Sequence, residues 1–167
     1  MIKKKTVRDT DPKGKNVIMR VKSNSPKYKT TAMTADTRFV AALPTIKALK
    51  AKGARVVLLS HLGRPKGGGY EARYSLKPVA QTLEKLLGSP VTFIPDAAAA
   101  DAVQITKSLP RGGVALVENT RFVPGEEKND ALAAQIFAGL GDFYVNDAFG
   151  SAHRGHASTE AVAHLLK

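Results

Sequence analysis

Arginine, histidine and asparagine residues follow the predicted strands of this sequence at the points where those strands end. The apolar run Val56–Leu59, for example, leads directly to His61 and Arg64. The same arrangement recurs after three other apolar runs, where the polar residues are Asn24, Asn119, Arg121, His153, Arg154 and His156. In a parallel α/β sheet the loops that follow the strands share one edge, and such folds bind their ligands there. Cationic side chains that converge on one edge predict a site for a single small anion.

Arg20 differs from the other cations because it lies inside the first predicted strand. It shares a face of that strand with Ile18, whereas Met19 and Val21 point the other way. A guanidinium in this position has to reach the sheet edge or find an anionic partner, since an unpaired buried charge is costly. Two interpretations stay open, a contact with an anionic ligand and an internal salt bridge.

The loop Ser60–Pro65 has the residues of a tight turn that leaves a buried strand. Gly63 can adopt a positive φ, and Pro65 stiffens the end of the turn. His61 and Arg64 are therefore predicted to face the ligand edge. By contrast, the segment Gly125–Asp130 predicts a solvated turn that caps a helix at its last residue, with charges that serve the scaffold.

The segment 146–158 carries the densest group of ionisable residues. A helix that begins at Ser158 or Thr159 could receive a phosphate at its N-terminus. His153 and His156 are three residues apart, as in some metal sites. No third carboxylate or Cys ligand follows in ordered spacing, so the pattern disfavours a metal and we predict no metal site.

These residues depend on a regular alternation of strands and helices. The predicted strands are Lys15–Val21, Val56–Leu59, Val91–Ile94, Val114–Val117 and Phe143–Val145. The predicted helices are Thr37–Lys52, Ser75–Leu87, Ala97–Leu109, Asp130–Leu140 and Thr159–Leu166. Pro44 should either kink the first helix or form its first turn. The alternation predicts an α/β fold, a doubly wound parallel sheet with helices on both faces, in a single Rossmann-like domain.

The composition narrows the classes of partner. Lys and Arg total 26 against 14 Asp and Glu, a net charge of +12 that is typical of proteins that bind polyanions. The charges are scattered and no aromatic residues interleave with them, so the sequence disfavours nucleic acid. The absence of Cys excludes disulfides and thiolate metal sites. No apolar run approaches the ~20 residues that span a bilayer, and no secretory signal is present, so we expect a cytoplasmic protein without membrane contact.

Several motifs, in order, resemble the N-terminal domain of phosphoglycerate kinase. They are Ser60–Pro65, Glu118–Phe122, Pro124–Asp130, Asn146–Gly150 and Ala152–Ser158. The resemblance covers nearly the whole chain and implies one domain over residues 1–167. It implies the substrate-binding half of a glycolytic kinase, a transferase that moves a phosphoryl group between 1,3-bisphosphoglycerate and ADP.

The resemblance also implies roles for individual residues. Those that it places in the patch for 3-phosphoglycerate or 1,3-bisphosphoglycerate are Arg20, Asn24, Arg38, His61, Arg64, Arg121 and Arg154. His153 and His156 would support this patch. Arg38 would be the catalytic residue that stabilises the transferring phosphoryl group, in keeping with catalysis by positioning and charge neutralisation.

In this family a separate C-terminal domain binds Mg-ADP or Mg-ATP, and hinge closure brings the two substrates together. The sequence continues only to Lys167 and has neither a second sheet nor a nucleotide-binding Gly-rich loop. We therefore expect no cofactor in this chain. The chain should bind substrate and be inactive alone, with the C-terminal domain as a partner in trans.

The loop after the first strand departs from the family pattern. Where the family reads Asp-Phe-Asn-Val-Pro, this chain reads Lys-Ser-Asn-Ser-Pro over residues 22–26. Lys22 cannot accept a hydrogen bond from the substrate hydroxyl as the family's Asp does. An alternative function follows, an engineered or divergent binding module that uses this domain as a scaffold. Its protein-binding surface at Lys22–Met33 would include Lys22, Ser23, Ser25, Lys27, Tyr28, Lys29 and Met33. The same loop could instead be a solvated excursion without a partner.

Overall fold

One parallel sheet forms the centre of the molecule. The computed structural model describes residues 5–21, 39–66, 69–148 and 155–166. The strands in this part of the chain are β1 (Asn16–Val21), β2 (Arg55–Leu59), β3 (Val91–Ile94), β4 (Val114–Val117) and β5 (Phe143–Asp147). Their order across the sheet is β3-β4-β2-β1-β5, and every pair is parallel. The central strands β1 and β4 are buried along their whole length, as their continuous apolar runs predict.

Helices cover both faces of the sheet. The described helices are α1 (Leu43–Ala51), α2 (Lys77–Leu87), α3 (Ala102–Ser108), α4 (Ala131–Ala138) and α5 (Val162–Leu165), the last preceded by a π-helical turn, Ala157–Ala161. α1 and α2 pack with Met19 and Leu58 in one core. α3, α4 and α5 pack with Ile18 and Val57 in a second core on the opposite face. The predicted fold, a doubly wound α/β domain, is therefore confirmed.

The connections that follow neighbouring strands divide between the two faces of the sheet. β2 and β4 are neighbours, yet β2 leads to α2 on one face and β4 leads to α4 on the other. The neighbours β1 and β5 likewise lead to helices on opposite faces, α1 and α5. Ligands of open α/β sheets bind at such points, outside the carboxyl ends of the strands. The loops that begin at Ser60 and Glu118 lie at this edge.

Helix starts differ from the predictions more than helix ends do. After the helical residues Phe39 and Val40 the chain makes a turn, and α1 begins only at Leu43. Pro44 stands in the first turn of α1, where its missing N–H costs nothing, so it starts this helix and does not kink it. Residues 97–101 form turns, so α3 is shorter than predicted. In the part of the chain that the structure describes, no helix has the length and apolar character needed to cross a membrane.

The cap of α4 provides a test of the fold. Asp130 Oδ1 accepts hydrogen bonds from the backbone N–H groups of Leu132 (2.8 Å) and Ala133 (3.2 Å). We expect Asp130→Ala to lower the free energy of unfolding by about 1 kcal/mol, measured by urea denaturation. Asp101 precedes α3 but its side chain makes no capping hydrogen bond, so Asp101→Ala is the matched control. Equal losses in the two variants would contradict the capping role.

Candidate functional site

Arg20 is fully buried at the end of β1, and its guanidinium makes hydrogen bonds to several protein groups. Nε donates to Ser158 Oγ at 2.9 Å, and Nη1 donates to the carbonyl of Val21 at 2.6 Å. Nη2 lies 2.6 Å from Nδ1 of His61. The cation therefore links β1 to the loop after β2 and to the turn that leads into α5.

The carboxylate that balances the positive charge of Arg20 is that of Glu126. Its carboxylate is buried and accepts hydrogen bonds from both the backbone N–H of Ser158 (2.9 Å) and the Ser158 hydroxyl. One hydroxyl group thus bridges Arg20 and Glu126, so the guanidinium has an internal anionic partner that it reaches through Ser158, without a direct salt bridge among the described residues. The prediction of a solvated turn is wrong for Glu126, although the predicted cap at Asp130 is present. The N–H of Ser158, considered above as a phosphate donor, is bonded to Glu126 instead.

Burial shifts the ionisation of these groups. Removal from water raises the pKa of the Glu126 carboxyl, and the hydrogen bonds from Ser158 and the charge of Arg20 only partly oppose that shift. Burial likewise lowers the pKa of Arg20, against the attraction of Glu126. Tyr144, whose hydroxyl donates to the carbonyl of Ser158 at 2.9 Å, has its pKa raised by burial.

A second buried carboxylate, Glu118, organises the other half of the edge. It follows β4 directly and accepts hydrogen bonds from Ser75 Oγ (2.6 Å), Leu76 N (2.7 Å) and Asn119 N (2.7 Å). The first two donors belong to the chain entering α2. Glu118 therefore ties the start of α2 to the end of β4.

Asn119 and Arg121 hold the loop that carries His61 and Arg64. The Asn119 amide donates to the carbonyls of Leu62 (2.8 Å) and Tyr74 (2.9 Å). The Arg121 guanidinium donates to the carbonyl of Gly63 and lies 3.4 Å from the carboxylate of Glu127. Gly63 has the predicted positive φ, and a Cβ at this position would overlap the ring of Tyr74. The loop conformation is thus set by contacts within the protein.

The structure brings four of the predicted site residues to the carboxyl edge of the sheet. Arg20 and Arg121 are buried, His61 is half-buried, and Arg64 is exposed. His156 is buried at the start of the π-helical turn, where its carbonyl accepts from the backbone N–H of Glu160 at 2.8 Å. The predicted residues that lie outside the described part of the chain are Lys22, Ser23, Asn24, Ser25, Lys27, Tyr28, Lys29, Met33, Arg38, His153 and Arg154.

Sequence reasoning missed the roles of Glu126 and Ser158. Glu126 sits in a polar segment between Gly125 and Asp130, which locally has the composition of a surface turn. The one signal pointing to a partner was Arg20 itself, since a cation inside a strand demands an anion somewhere in the chain. That signal does not say which carboxylate provides it.

The described residues at this edge form neither a metal site nor one of the two cavities below. Among the described residues no group of three or more His, Cys, Asp or Glu could hold a metal ion. A cavity of about 530 Å³ lies between the end of α2 and the start of β3, next to Lys85 and Pro90. Another, of about 290 Å³, lies beside α3, next to Gln104. Neither is lined by the residues described above.

The chain is similar to phosphoglycerate kinases over almost its whole length. The family model "Phosphoglycerate kinase" matches residues 7–167. The phosphoglycerate kinase of Fervidobacterium nodosum is 50% identical over 99% of this chain and 41% of the relative. "Phosphoglycerate kinase 3, cytosolic" of Arabidopsis thaliana is 51% identical over 97% of this chain and 40% of the relative.

Solved structures agree with these relatives. The structure of phosphoglycerate kinase from Coxiella burnetii superposes with a TM-score of 0.81 at 38% identity, covering 96% of this chain and 39% of that one. The chain therefore spans about two fifths of the length of the proteins that it matches.

The buried Glu126 predicts a specific dependence of stability on pH. A carboxyl whose pKa is raised by folding contributes stability that is fully present below its ordinary pKa of 4.5 and is lost as the pH rises through the folded value. Glu126→Gln cannot ionise, so its free energy of unfolding should gain on that of the wild type as the pH rises from about 4 towards neutrality. Urea denaturation across this range measures the difference. Glu84→Gln, the same change at an exposed position of α2, should show no such gain; a pH-independent difference at Glu126 would contradict the shift.

Proposed function

This chain belongs to the phosphoglycerate kinase family, and on that premise we propose that it binds 3-phosphoglycerate or 1,3-bisphosphoglycerate at the carboxyl edge of its sheet. In this proposal residues 1–167 are the N-terminal, substrate-binding domain of such an enzyme. The observation that carries the proposal is the loop of His61 and Arg64, fixed at that edge by Asn119 and Arg121. A loop that carries both a guanidinium and an imidazole suits a ligand with both phosphate and carboxylate groups.

In this proposal the described cations have two roles, contact with the ligand and support of the sheet edge. Arg64 is exposed and is the guanidinium that reaches the ligand. Arg121 and Arg20 are buried and donate to protein carbonyls, so they shape the edge and add positive potential there. In this proposal His61, which contacts Arg20, hydrogen-bonds the substrate.

The remaining roles come from the family resemblance, and all but that of His156 fall on residues outside the described part of the chain. Asn24 and Arg154 complete the proposed patch, and His153 and His156 support it. Arg38 is the proposed catalytic residue, placed to stabilise charge on the transferring phosphoryl group. Mg-ADP or Mg-ATP binds a C-terminal domain of the family, which would meet this domain by hinge closure or in trans.

The alternative function, a scaffold with a protein-binding surface at Lys22–Met33, rests on one observation. Lys22 stands where the family has an Asp, and a Lys cannot accept the hydrogen bond of a substrate hydroxyl. If the folded wild-type chain binds no 3-phosphoglycerate up to millimolar concentration, the scaffold function is favoured over the substrate-binding one.

Arg64 provides the test of the substrate site. Arg64→Ala removes an exposed charge-assisted hydrogen bond to the ligand, so the Kd for 3-phosphoglycerate should rise by about tenfold to a hundredfold in titration calorimetry. Arg111→Ala removes the same charge from the loop before β4, at the opposite edge of the sheet, and should leave the Kd within about twofold. Equal effects of the two substitutions would mean that the ligand senses only net charge.

The proposal also predicts that binding and turnover separate. The 167-residue chain should bind 3-phosphoglycerate yet show no ATP-dependent phosphorylation of it in a coupled assay, because the proposed nucleotide site lies in another domain. Added C-terminal domain of a phosphoglycerate kinase is expected to restore measurable activity. Turnover by the chain alone would overturn this division of roles.

A further inference from the structure

We propose that Glu126 and Ser158 are positioning residues that act through Arg20 to hold His61 as a neutral imidazole with its proton on Nε2. This inference rests on the proposed function, in which His61 hydrogen-bonds the substrate. It adds two residues from the turns before α4 and α5 to the machinery of the site. It also assigns His61 a fixed role as a donor.

The tautomer follows from the chemistry of the contact between Arg20 and His61. Nη2 of Arg20 lies 2.6 Å from Nδ1 of His61, which is hydrogen-bonding distance. A guanidinium has only donors, so Nδ1 has to present its lone pair. The imidazole is then neutral, and its single ring proton is on Nε2.

Ser158 fixes the orientation of the guanidinium. The hydroxyl of Ser158 has one proton, and it donates this proton in a hydrogen bond to the carboxylate of Glu126. Its lone pair is therefore left to accept from Nε of Arg20, at 2.9 Å. Nη1 donates to the carbonyl of Val21 at 2.6 Å, so both sides of the guanidinium are held and Nη2 is aimed at His61.

Glu126 in turn fixes Ser158. Its two carboxylate oxygens accept from the N–H and from the hydroxyl of the same residue, so the hydroxyl cannot rotate without losing a bond. All three groups are buried, where a hydrogen bond is electrostatically stronger than in water. Glu126, Ser158, Arg20 and His61 are thus joined by successive hydrogen bonds. In each of these bonds the donor and the acceptor are fixed by the chemistry of the groups.

The first experiment reads the tautomer directly in the ligand-free wild-type chain. Long-range ¹H–¹⁵N NMR spectra of the histidine rings should show Nδ1 of His61 unprotonated and the ring proton on Nε2 at neutral pH. A proton on Nδ1 would overturn the proposal whatever the variants do. This measurement needs no ligand, so its outcome is independent of whether 3-phosphoglycerate binds.

Two variants test the positioning role. Ser158→Ala removes the acceptor of Arg20 Nε. Glu126→Gln keeps the side-chain size but replaces one of the two acceptor oxygens with an NH2 donor, which then faces one of the two donors of Ser158. In each folded variant we expect a mixture of the two His61 tautomers and a Kd for 3-phosphoglycerate raised about threefold to tenfold, the change caused by loss of one neutral hydrogen bond.

The matched control is Ser108→Ala, which removes an exposed hydroxyl at the end of α3. It should change neither the tautomer nor the Kd. An unaltered tautomer and Kd in Ser158→Ala, or in Glu126→Gln if the first variant does not fold, would overturn the positioning role. Wild-type chain with the Nε2–H tautomer but no affinity for 3-phosphoglycerate would sink the proposed function and leave the hydrogen-bond chain intact.

Discussion

The burial of one cation governs the arrangement of this site. Removing an ion from water costs roughly several kcal/mol even after the protein relaxes, unless the lost hydration is replaced by directed partners. Arg20 is fully buried in the central sheet, and Ser158, Val21 and His61 supply those partners while Glu126 supplies the countercharge. Because these groups come from separate parts of the chain, solvating one guanidinium brings several segments into a fixed relation.

The connection that follows β4 carries much of this order. Glu118 stands at its start and holds the chain entering α2, while Glu126 stands eight residues later, by residue number, and holds the turn before α5. The segment between Glu118 and Glu126 thus holds the start of α2 on one face of the sheet and the turn before α5 on the other. Asn119 and Arg121, which lie between these carboxylates, fix the loop of His61 and Arg64. These contacts lie within the protein, so a ligand bound as proposed would not have to order this loop.

The sequence allows the strands to be predicted better than the helix starts or the charge pairs. Val91–Ile94 and Val114–Val117 match the observed strands to the residue, because short apolar runs bounded by turn residues leave little freedom of placement. The start of α3 is wrong because Ala97 and its neighbours form turns despite a composition that suits a helix. His61, Arg64 and Arg121 are at the predicted edge because their places after strands fix them there. Glu126 could not be predicted as the partner of Arg20, since only tertiary folding turns a polar segment into a buried one.

The bond between Arg20 and Ser158 joins residues that are 138 positions apart in the chain. Contacts of such separation close long loops, whose entropy must be overcome before the contact contributes anything, so they form late in folding. The pairing of β1 with β2 is far more local and can precede it. Local opening of the turns before α5 would then break the hydrogen bond between Arg20 and Ser158 while the sheet stays folded. The order of this edge consequently reports whether the turns before α5 have docked, and a ligand bound there as proposed would favour the fully assembled chain.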